Sequence, residues 1–287
     1  MGMGVAMVHE TAIRLGFFFG ILALVAVGEL LFPRRTLRTG KAVRWLSNLG
    51  VVVVDTLMVR LLFPVLGVGV AVAAQAHGWG LLNVLALPTW LSVPIGVLVL
   101  DLVVYLQHAM FHTMPLLWRL HMMHHADLDI DVSTGLRFHP IEIAISMVIK
   151  MTVIAALGPS AFTVILFEVI LNGTAMFNHG NLRLPLALDR AFRLLVVTPD
   201  MHRVHHSVAI RETNSNFGFN FPWWDRLFGT YRAQPAMGHE QMVIGLAQFR
   251  DSRKNTLRHM LVMPFTDPPG DYAINRHGMD PARLRKE

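Results

Sequence analysis

The 287-residue sequence contains no cysteine. Disulfide bonds, thiolate metal sites and cysteine nucleophiles are therefore excluded. Charged residues are also scarce, at 15% of the chain, whereas soluble domains carry about a quarter. No fixed-period repeat indicates a solenoid, and no basic stripe with interleaved aromatic side chains indicates nucleic-acid binding. The chemistry must rest on other side chains, in largely apolar surroundings.

Long apolar runs are what the sequence has instead. Hydrophobic residues make up 53% of the chain, and the mean hydropathy is +0.47. A membrane-spanning helix needs about 20 mostly apolar residues, and three runs meet this requirement: 11–32, 45–74 and 91–111. The second run is long enough to be kinked at Pro64. Two shorter runs, 141–157 and 161–177, are separated by a Gly-Pro pair and predict a short or re-entrant helical hairpin.

Charges are distributed unevenly along the chain. The net charge is +6, and residues 179–287 hold 15 of the 25 basic residues, which is typical of loops that face anionic lipid headgroups. Segment 33–44 has five basic residues and no acidic one, which predicts a cytoplasmic loop. The uncharged segment 75–89 is then expected on the opposite face, so that the third run returns to the cytoplasmic side. By the same parity, the C-terminus is cytoplasmic.

These patterns predict an all-α, integral-membrane bundle of three spans plus the hairpin, with the histidine motifs gathered at the cytosolic surface. The predicted organisation has three parts: membrane spans over 1–100, a catalytic region with hairpin and cap over 101–235, and a cytosolic tail over 236–287. About the last 35 residues of this tail are expected to be loosely ordered.

Histidines are concentrated in short motifs that suit one helix face, because residues i, i+3 and i+4 lie on the same side of a helix. Crowded imidazoles in apolar surroundings are desolvated and repel one another unless they bind a cation. Nine are too many for one ion, so two metal ions with four or five imidazoles each are predicted. The predicted ligands are His108, His112, His121, His124, His125, His179, His202, His205 and His206.

Imidazole suits iron, zinc, copper and nickel. The sequence has no Glu-x-x-His motif, which argues against a ferritin-like carboxylate site.

Two carboxylates within apolar runs are candidates for groups that orient the ligands. Asp101 lies at helical spacing from His108 and His112, and Glu168 lies at the same spacing from His179. Because a ligating histidine usually donates its other N–H to a carboxylate or carbonyl, an orienting role is one interpretation. The other is that both carboxylates pair with Arg60 or Lys150. Asp200, next to the last motif, is a further candidate for shaping the electrostatics.

The combined motifs resemble those of the fatty acid hydroxylase and sterol desaturase superfamily. The residues that carry the resemblance are HAMFH (108–112), HMMHH (121–125), RFHPIE (137–142), NHGN (178–181), HRVHH (202–206) and NFGFNFPWWDRLFGTYR (216–232). The resemblance covers roughly residues 101–232 and is closest to bacterial proteins of the sterol desaturase family. The last stretch is expected to be mostly architectural.

This resemblance implies a bundle of about four spans plus the short or re-entrant hairpin, with a cytosolic, histidine-rich helical cap. It also implies a non-haem di-iron enzyme that uses O2 and two electrons to hydroxylate or desaturate an unactivated C–H bond of a membrane lipid. The lipid is a fatty acyl lipid, a sterol or an ether lipid, and an external donor, ferredoxin- or cytochrome b5-like, supplies the electrons. The nine motif histidines carry over as ligands, and purified protein can contain zinc instead of iron. Some relatives have a further histidine where this chain has Ala175, so one metal site is expected either to have fewer ligands or to take water, Asn178 or His139 instead. The alternative for His139 is a hydrogen bond within the cap.

Two other functions fit part of the pattern. A membrane zinc hydrolase of lipid ester or amide bonds uses imidazole ligands but needs fewer of them. A metal transporter would need ligands along a path through the bilayer, rather than at one surface.

Overall fold

A computed structural model describes the backbone of residues 2–275 and the side chains of residues 11–275. Over this range the chain is helical and forms no β-strand, only two isolated bridges. The helices, in chain order, are α1 (Gly2–Leu31), α2 (Lys41–Leu62), α3 (Gly67–His77), α4 (Leu81–Leu85), α5 (Thr89–Thr113), α6 (Pro115–His125), α7 (Pro140–Leu157), α8 (Ala161–Asn178), α9 (Leu186–Phe192), α10 (Pro199–His205), α11 (Ile210–Thr213), α12 (Trp223–Leu227), α13 (Gly238–Gln241) and α14 (Leu257–Thr266). The predicted all-α class is confirmed.

Five helical stretches are long and apolar enough to cross a membrane. They are Thr11–Leu31, Lys41–Leu85, Thr89–Thr113, Pro140–Leu157 and Ala161–Asn178. Each contains or overlaps one of the predicted apolar runs. The two arms of the predicted hairpin, α7 and α8, have 18 residues each, which gives about 27 Å at 1.5 Å per residue.

The second stretch is interrupted where the sequence places a proline. Helix α2 ends at Leu62, and α3 begins at Gly67 after a break that contains Pro64. Proline lacks a backbone N–H and clashes with the preceding helical turn, so the predicted kink becomes a full break.

Large apolar side chains cover the outside of the bundle. Leu24 is 72% exposed, Leu61 84% and Trp90 76%. Surfaces of this kind require an apolar solvent, which a lipid bilayer supplies.

Buried polar contacts tie the end of α1 and the start of α2 to the loops that follow α6 and α8, which belong to the predicted cap. Arg44, at the start of α2, donates to Asp127 (2.7 Å) and Asp131 (2.8 Å). Glu29, near the end of α1, accepts from the backbone N–H groups of Val132 (2.7 Å) and Asn181 (2.8 Å). Because these groups are buried, removing one partner of a contact leaves the other as an uncompensated charge or an unpaired donor. The contacts therefore fix the cap on the bundle.

The C-terminal segment is packed against the bundle up to residue 275, so the expected loose order is wrong for about residues 253–275. Met260 and Met263 of α14 pack with Trp118 and Met122 of α6 in one buried cluster. Burial of these large apolar side chains outweighs the disorder expected from the charged and proline-containing sequence. Residues 276–287, the rest of the predicted tail, lie outside the described range.

Candidate metal centre

Four helices deliver the nine motif histidines to one region. Helix α5 carries His108 and His112 one turn apart, α6 carries the HMMHH motif at its end, and α8 ends just before His179. Helix α10 carries the HRVHH motif. Pro115 and Pro199 occupy the first turns of α6 and α10, and the Thr198 hydroxyl accepts from the N–H of Met201. Proline and an N-cap threonine are the signals that start these helices.

The nine side chains form two groups. The five-histidine group contains His108, His112, His121, His125 and His205, and the four-histidine group contains His124, His179, His202 and His206. Within each group the candidate ligand nitrogens lie within 4.8 Å of one another, and all nine residues are buried. The division into five and four matches the predicted division between two ions.

Six of the rings are held by hydrogen bonds that point away from the group centres. The Nδ1–H groups donate from His108 to Phe217 O (2.8 Å), from His112 to Asn214 Oδ1 (3.0 Å), from His121 to Glu142 Oε1 (2.7 Å), from His124 to Arg137 O (3.1 Å), from His179 to Ala175 O (2.7 Å) and from His205 to Ser215 O (2.7 Å). Carbonyl and carboxylate oxygens accept, so the proton must sit on Nδ1. In these rings Nε2 therefore carries a lone pair.

The Nε2 lone pairs converge without donors between them. Nε2 of His108 lies 3.1 Å from Nε2 of His121, and Nε2 of His124 lies 3.1 Å from Nε2 of His179. Two neutral acceptors at this distance form no hydrogen bond. Four more buried Nε2 atoms have no partner among the described residues, namely those of His112, His125, His205 and His206. A coordinated cation satisfies such nitrogens, so the residues present fit a metal ion in each group.

Burial keeps these rings neutral, which metal ligation requires. Burial lowers the pKa of His179 to about 4 and that of His205 to about 3. Burial, reinforced by neighbouring imidazoles, lowers the pKa of His124 and His202 well below the usual value. The metal-binding form is thus the form present at neutral pH.

His139 and Asn178, the two residues considered for completing a metal site, have different surroundings. His139 is the N-cap of α7, where its Nδ1 accepts from Ile141 N–H (3.2 Å) and its Nε2 donates to Leu261 O (3.1 Å). Both ring nitrogens are thus used outside the two groups, which is a correction to its assignment as a possible ligand. Asn178 is buried next to His179, and its amide donates to Phe219 O (3.0 Å).

The three carboxylates singled out in the sequence do not hydrogen-bond to the nine histidines in the described structure. Asp101 accepts from Trp224 Nε1 (2.7 Å) and so fixes α12 against α5. Glu168 pairs with Lys150 and with Arg14, each at 2.5 Å, so the pairing interpretation describes Glu168 and the orienting one does not.

Asp200 pairs with Arg203 and Arg34. Each of the three carboxylates is thus paired with a nearby N–H donor or cation.

The groups that do orient the rings were not predicted. Glu142, in the first turn of α7, is one of them, and Asn214 is another. The remaining acceptors are backbone carbonyl oxygens. The RFHPIE motif contained the signal for Glu142, since a carboxylate in a ligand-rich motif is a common partner of a ligating imidazole.

An apolar cavity of about 490 Å³ reaches the five-histidine group. It lies between α1, α2, α5, α7 and α8, and His108 and His121 form part of its wall. Phe18, Leu100 and Phe167 are among its apolar lining residues. The four-histidine group contributes no side chain to this wall in the described structure.

Comparison with known proteins decides the family. The family model described as fatty acid hydroxylase matches residues 93–230. This region belongs to the fatty acid hydroxylase and sterol desaturase superfamily. All nine histidines of the two groups, and Glu142, lie within this matched region.

Curated relatives of the superfamily include enzymes of lipid hydroxylation. The chain is 28% identical over 149 residues to the ornithine lipid hydroxylase OlsE of Rhizobium tropici, a match that covers 52% of the chain and 44% of the relative. It is 29% identical over 163 residues to the alkylglycerol monooxygenase of Homo sapiens, covering 55% of the chain and 33% of the relative. The matches thus span less than half the length of these relatives. No solved structure matches the chain.

Proposed function

We propose that this chain is a membrane-embedded lipid hydroxylase that uses O2 and two iron ions, one held by each histidine group. The observation that carries the proposal is the apolar cavity that ends on His108 and His121, two of the buried imidazoles. The similarity to a lipid hydroxylase and to a lipid monooxygenase supports hydroxylation rather than desaturation as the outcome.

When bound, the metal pair supplies the redox chemistry for the overall reaction R–H + O2 + 2e⁻ + 2H⁺ → R–OH + H2O. The chain's own residues would hold the metal ions and exclude water from them. The Nδ1–H contacts fix six of the nine rings so that Nε2 faces the centre of its group. Complete burial of the two groups excludes bulk water, which protects reactive species from side reactions.

The apolar wall of the cavity suits a hydrocarbon chain. Val104, Phe167 and Leu171 line it, and the helices that carry them are candidate membrane spans. A lipid substrate therefore enters from the bilayer, with its reacting carbon close to the five-histidine group. The two electrons come from a separate ferredoxin- or cytochrome b5-like donor.

The proposal places the histidine groups on the cytoplasmic side. Its support is the charge of segment 33–44, which has five basic residues and no acidic one. The contacts from Arg44 to Asp127 and Asp131 join this segment to the cap that holds the histidines.

A zinc hydrolase is the second candidate, and one observation favours it. Glu142 lies beside His121 and has one buried oxygen, Oε2, without a partner among the described residues, as expected of a general base. Against it, a hydrolytic zinc ion uses about three protein ligands, whereas two full groups of imidazoles are present. A metal transporter is disfavoured because the ligands gather in one region rather than along a path.

The deciding experiment measures metal and oxygen together. Protein purified in detergent is analysed for iron and zinc, and is then incubated with a total bacterial lipid extract, a reduced ferredoxin and ¹⁸O2. We expect iron, O2 uptake, and a lipid product heavier by one ¹⁸O atom. Zinc content alone decides nothing, since imidazole sites accept zinc readily. Cleavage of a lipid ester or amide under argon, without O2 uptake, would establish the hydrolase instead.

A further inference from the structure

Two carboxylates face the cavity beside the five-histidine group. Asp55 of α2 and Glu142 of α7 both line it. One Glu142 oxygen accepts from His121 Nδ1, and the other, Oε2, is buried without a partner among the described residues. Oδ1 of Asp55 is buried and unpartnered in the same way. Glu142 is 4% exposed. The cavity therefore contains two unused hydrogen-bond acceptors next to a candidate ligand.

No cation is paired with these acceptors in the described structure. Arg14 and Lys150, which line the cavity, both pair with Glu168. Lys150 is eight residues beyond Glu142 on α7, which is about 12 Å along the helix axis. Arg60 also lines the cavity but forms no ion pair or hydrogen bond with either carboxylate in the described structure. Buried acceptors without donors are costly, so donors on a bound ligand would recover the lost hydrogen bonds.

We infer that Asp55 and Glu142 form a subsite for a hydrogen-bond-donating group of the lipid substrate, a hydroxyl or an ammonium, next to His121. This inference rests on the proposed function and names the part of the substrate that lies nearest the histidines. The carbon attacked is then close to the polar part of the lipid, and the hydrocarbon chain occupies the apolar remainder of the cavity. An ornithine lipid carries an amine and an alkylglycerol carries hydroxyls, so the lipids named for the two relatives both contain such donors.

Lipid binding without turnover tests the subsite. Purified protein with its metal, under argon and without reductant, is titrated with tritiated 1-O-hexadecylglycerol. The competitors are hexadecylamine and 1-O-hexadecyl-2,3-di-O-methylglycerol, which lacks donors. We expect the dimethyl ether to compete about 10- to 100-fold more weakly than the unlabelled diol or the amine, whichever supplies the natural donor.

Asp55 is the residue to change, because Glu142 also holds His121. Asp55→Leu should remove most of the preference for donor-bearing lipids. Asp55→Asn keeps the side-chain size and one acceptor, so it should retain part of the preference for the hydroxyl and lose that for the ammonium. Thr56→Val is the matched control, since Thr56 lines the same cavity but its hydroxyl already donates to Val52 O (2.7 Å). This control should keep the wild-type preference.

Equal binding of all three lipids by the wild type, or an unchanged preference in both Asp55 variants, overturns the subsite. A preference that depends on Asp55 for only one of the diol and the amine supports it and identifies the donor. Because the assay contains neither O2 nor reductant, its result is independent of the oxidation. Binding that depends on Asp55, together with no oxygenated product in the ¹⁸O2 experiment, would support the subsite and contradict the hydroxylase.

Discussion

Most imidazoles in the two groups have one nitrogen that faces the group centre and one that is tied to the surrounding protein. In His205 the tie is Ser215 O, and in His124 it is Arg137 O. The inward nitrogen is thereby deprotonated and correctly aimed before an ion arrives, which reduces the ordering cost of binding. Because the two residues belong to different groups, single substitutions can test the two metal sites separately.

His205→Ala and His124→Ala should each lower the bound metal from about two ions per chain to about one and abolish lipid oxidation, while membrane insertion persists. Metal analysis of the purified variants measures this. His139→Asn is the control, because asparagine can still cap α7 and His139 uses both nitrogens outside the groups. A full metal complement in either alanine variant would contradict the assignment.

Because the buried histidines are neutral, the folding stability of the metal-free protein depends on pH. Burial lowers the pKa of His179 to about 4 and of His205 to about 3 in the folded state, against about 6.5 in an unfolded chain. The unfolded chain therefore takes up protons first, so stability is present above pH 6.5 and is lost as the pH falls below it. Burial raises the pKa of Asp225 to about 6, which has the opposite sign, but burial lowers the pKa of six histidines outside the membrane spans.

We expect the Tm of metal-free protein in detergent to be nearly constant from pH 8 to 7 and to fall steeply between about pH 6.5 and 4. Metal-loaded protein should keep its Tm to a lower pH, because the ions bind the deprotonated rings. Thermal unfolding at several pH values, with and without metal, measures both curves. A flat profile down to pH 4.5 in the metal-free protein would contradict the buried, neutral histidines.

The segment that joins α11 to α12 is the element that orients the five-histidine group. Asn214, Ser215 and Phe217 supply the acceptors for three of its rings. Asp225 in turn holds this segment, because its carboxylate accepts from the N–H groups of Phe217 (2.8 Å) and Gly218 (2.9 Å). A Cβ on Gly218 would lie 2.7 Å from Asp225 Oδ2, so the close approach requires glycine. The stretch predicted as mostly architectural thus acts on the ligands directly.

Asp225→Asn should weaken metal binding by about 10- to 100-fold, because the amide turns one acceptor into a donor that faces a backbone N–H. The loss should be confined to the ion of the five-histidine group. Metal titration of the stripped protein gives the affinities of both ions. Asp251→Asn is the control, since Asp251 pairs with Arg253 at the surface and touches neither group. Equal weakening of both ions would mean that the substitution disturbs the fold generally.

The grouping of the histidines could be predicted from the sequence, whereas most hydrogen-bond partners of their rings could not. Helical spacing puts His121, His124 and His125 on one side of α6 regardless of the rest of the fold. The acceptors of His124 and His205 are backbone carbonyl oxygens, which have no signature in the sequence. The partners of Glu168 depend on how α1 packs against α8, because Arg14 comes from a distant part of the chain. Local periodicity was therefore sufficient to align the histidines along each helix, and tertiary packing determined what surrounds them.

The molecule as a whole separates a histidine-rich end from an uncharged end. Helix α5 has 25 residues, or about 37 Å, which exceeds a hydrocarbon core of about 30 Å. It begins at Thr89, next to the exposed Trp90, and ends in the turns that carry His108 and His112. On the histidine side, the backbone N–H of Leu257 donates to Ser47, which places the start of α14 beside the start of α2. Thr89 and Ser252 should therefore lie on opposite faces of the membrane.

Because the chain has no cysteine, single introduced cysteines report this arrangement without background. Thr89→Cys and Ser252→Cys both place a thiol at an exposed position. With a membrane-impermeant maleimide, Ser252→Cys should react in inverted vesicles and Thr89→Cys in right-side-out vesicles, while the parent chain should react in neither. The reverse pattern would retain the spanning bundle but put the histidine groups outside the cytoplasm. Labelling of both thiols from the same side would mean that α5 does not cross the bilayer, and the cavity would then lose its access to membrane lipid.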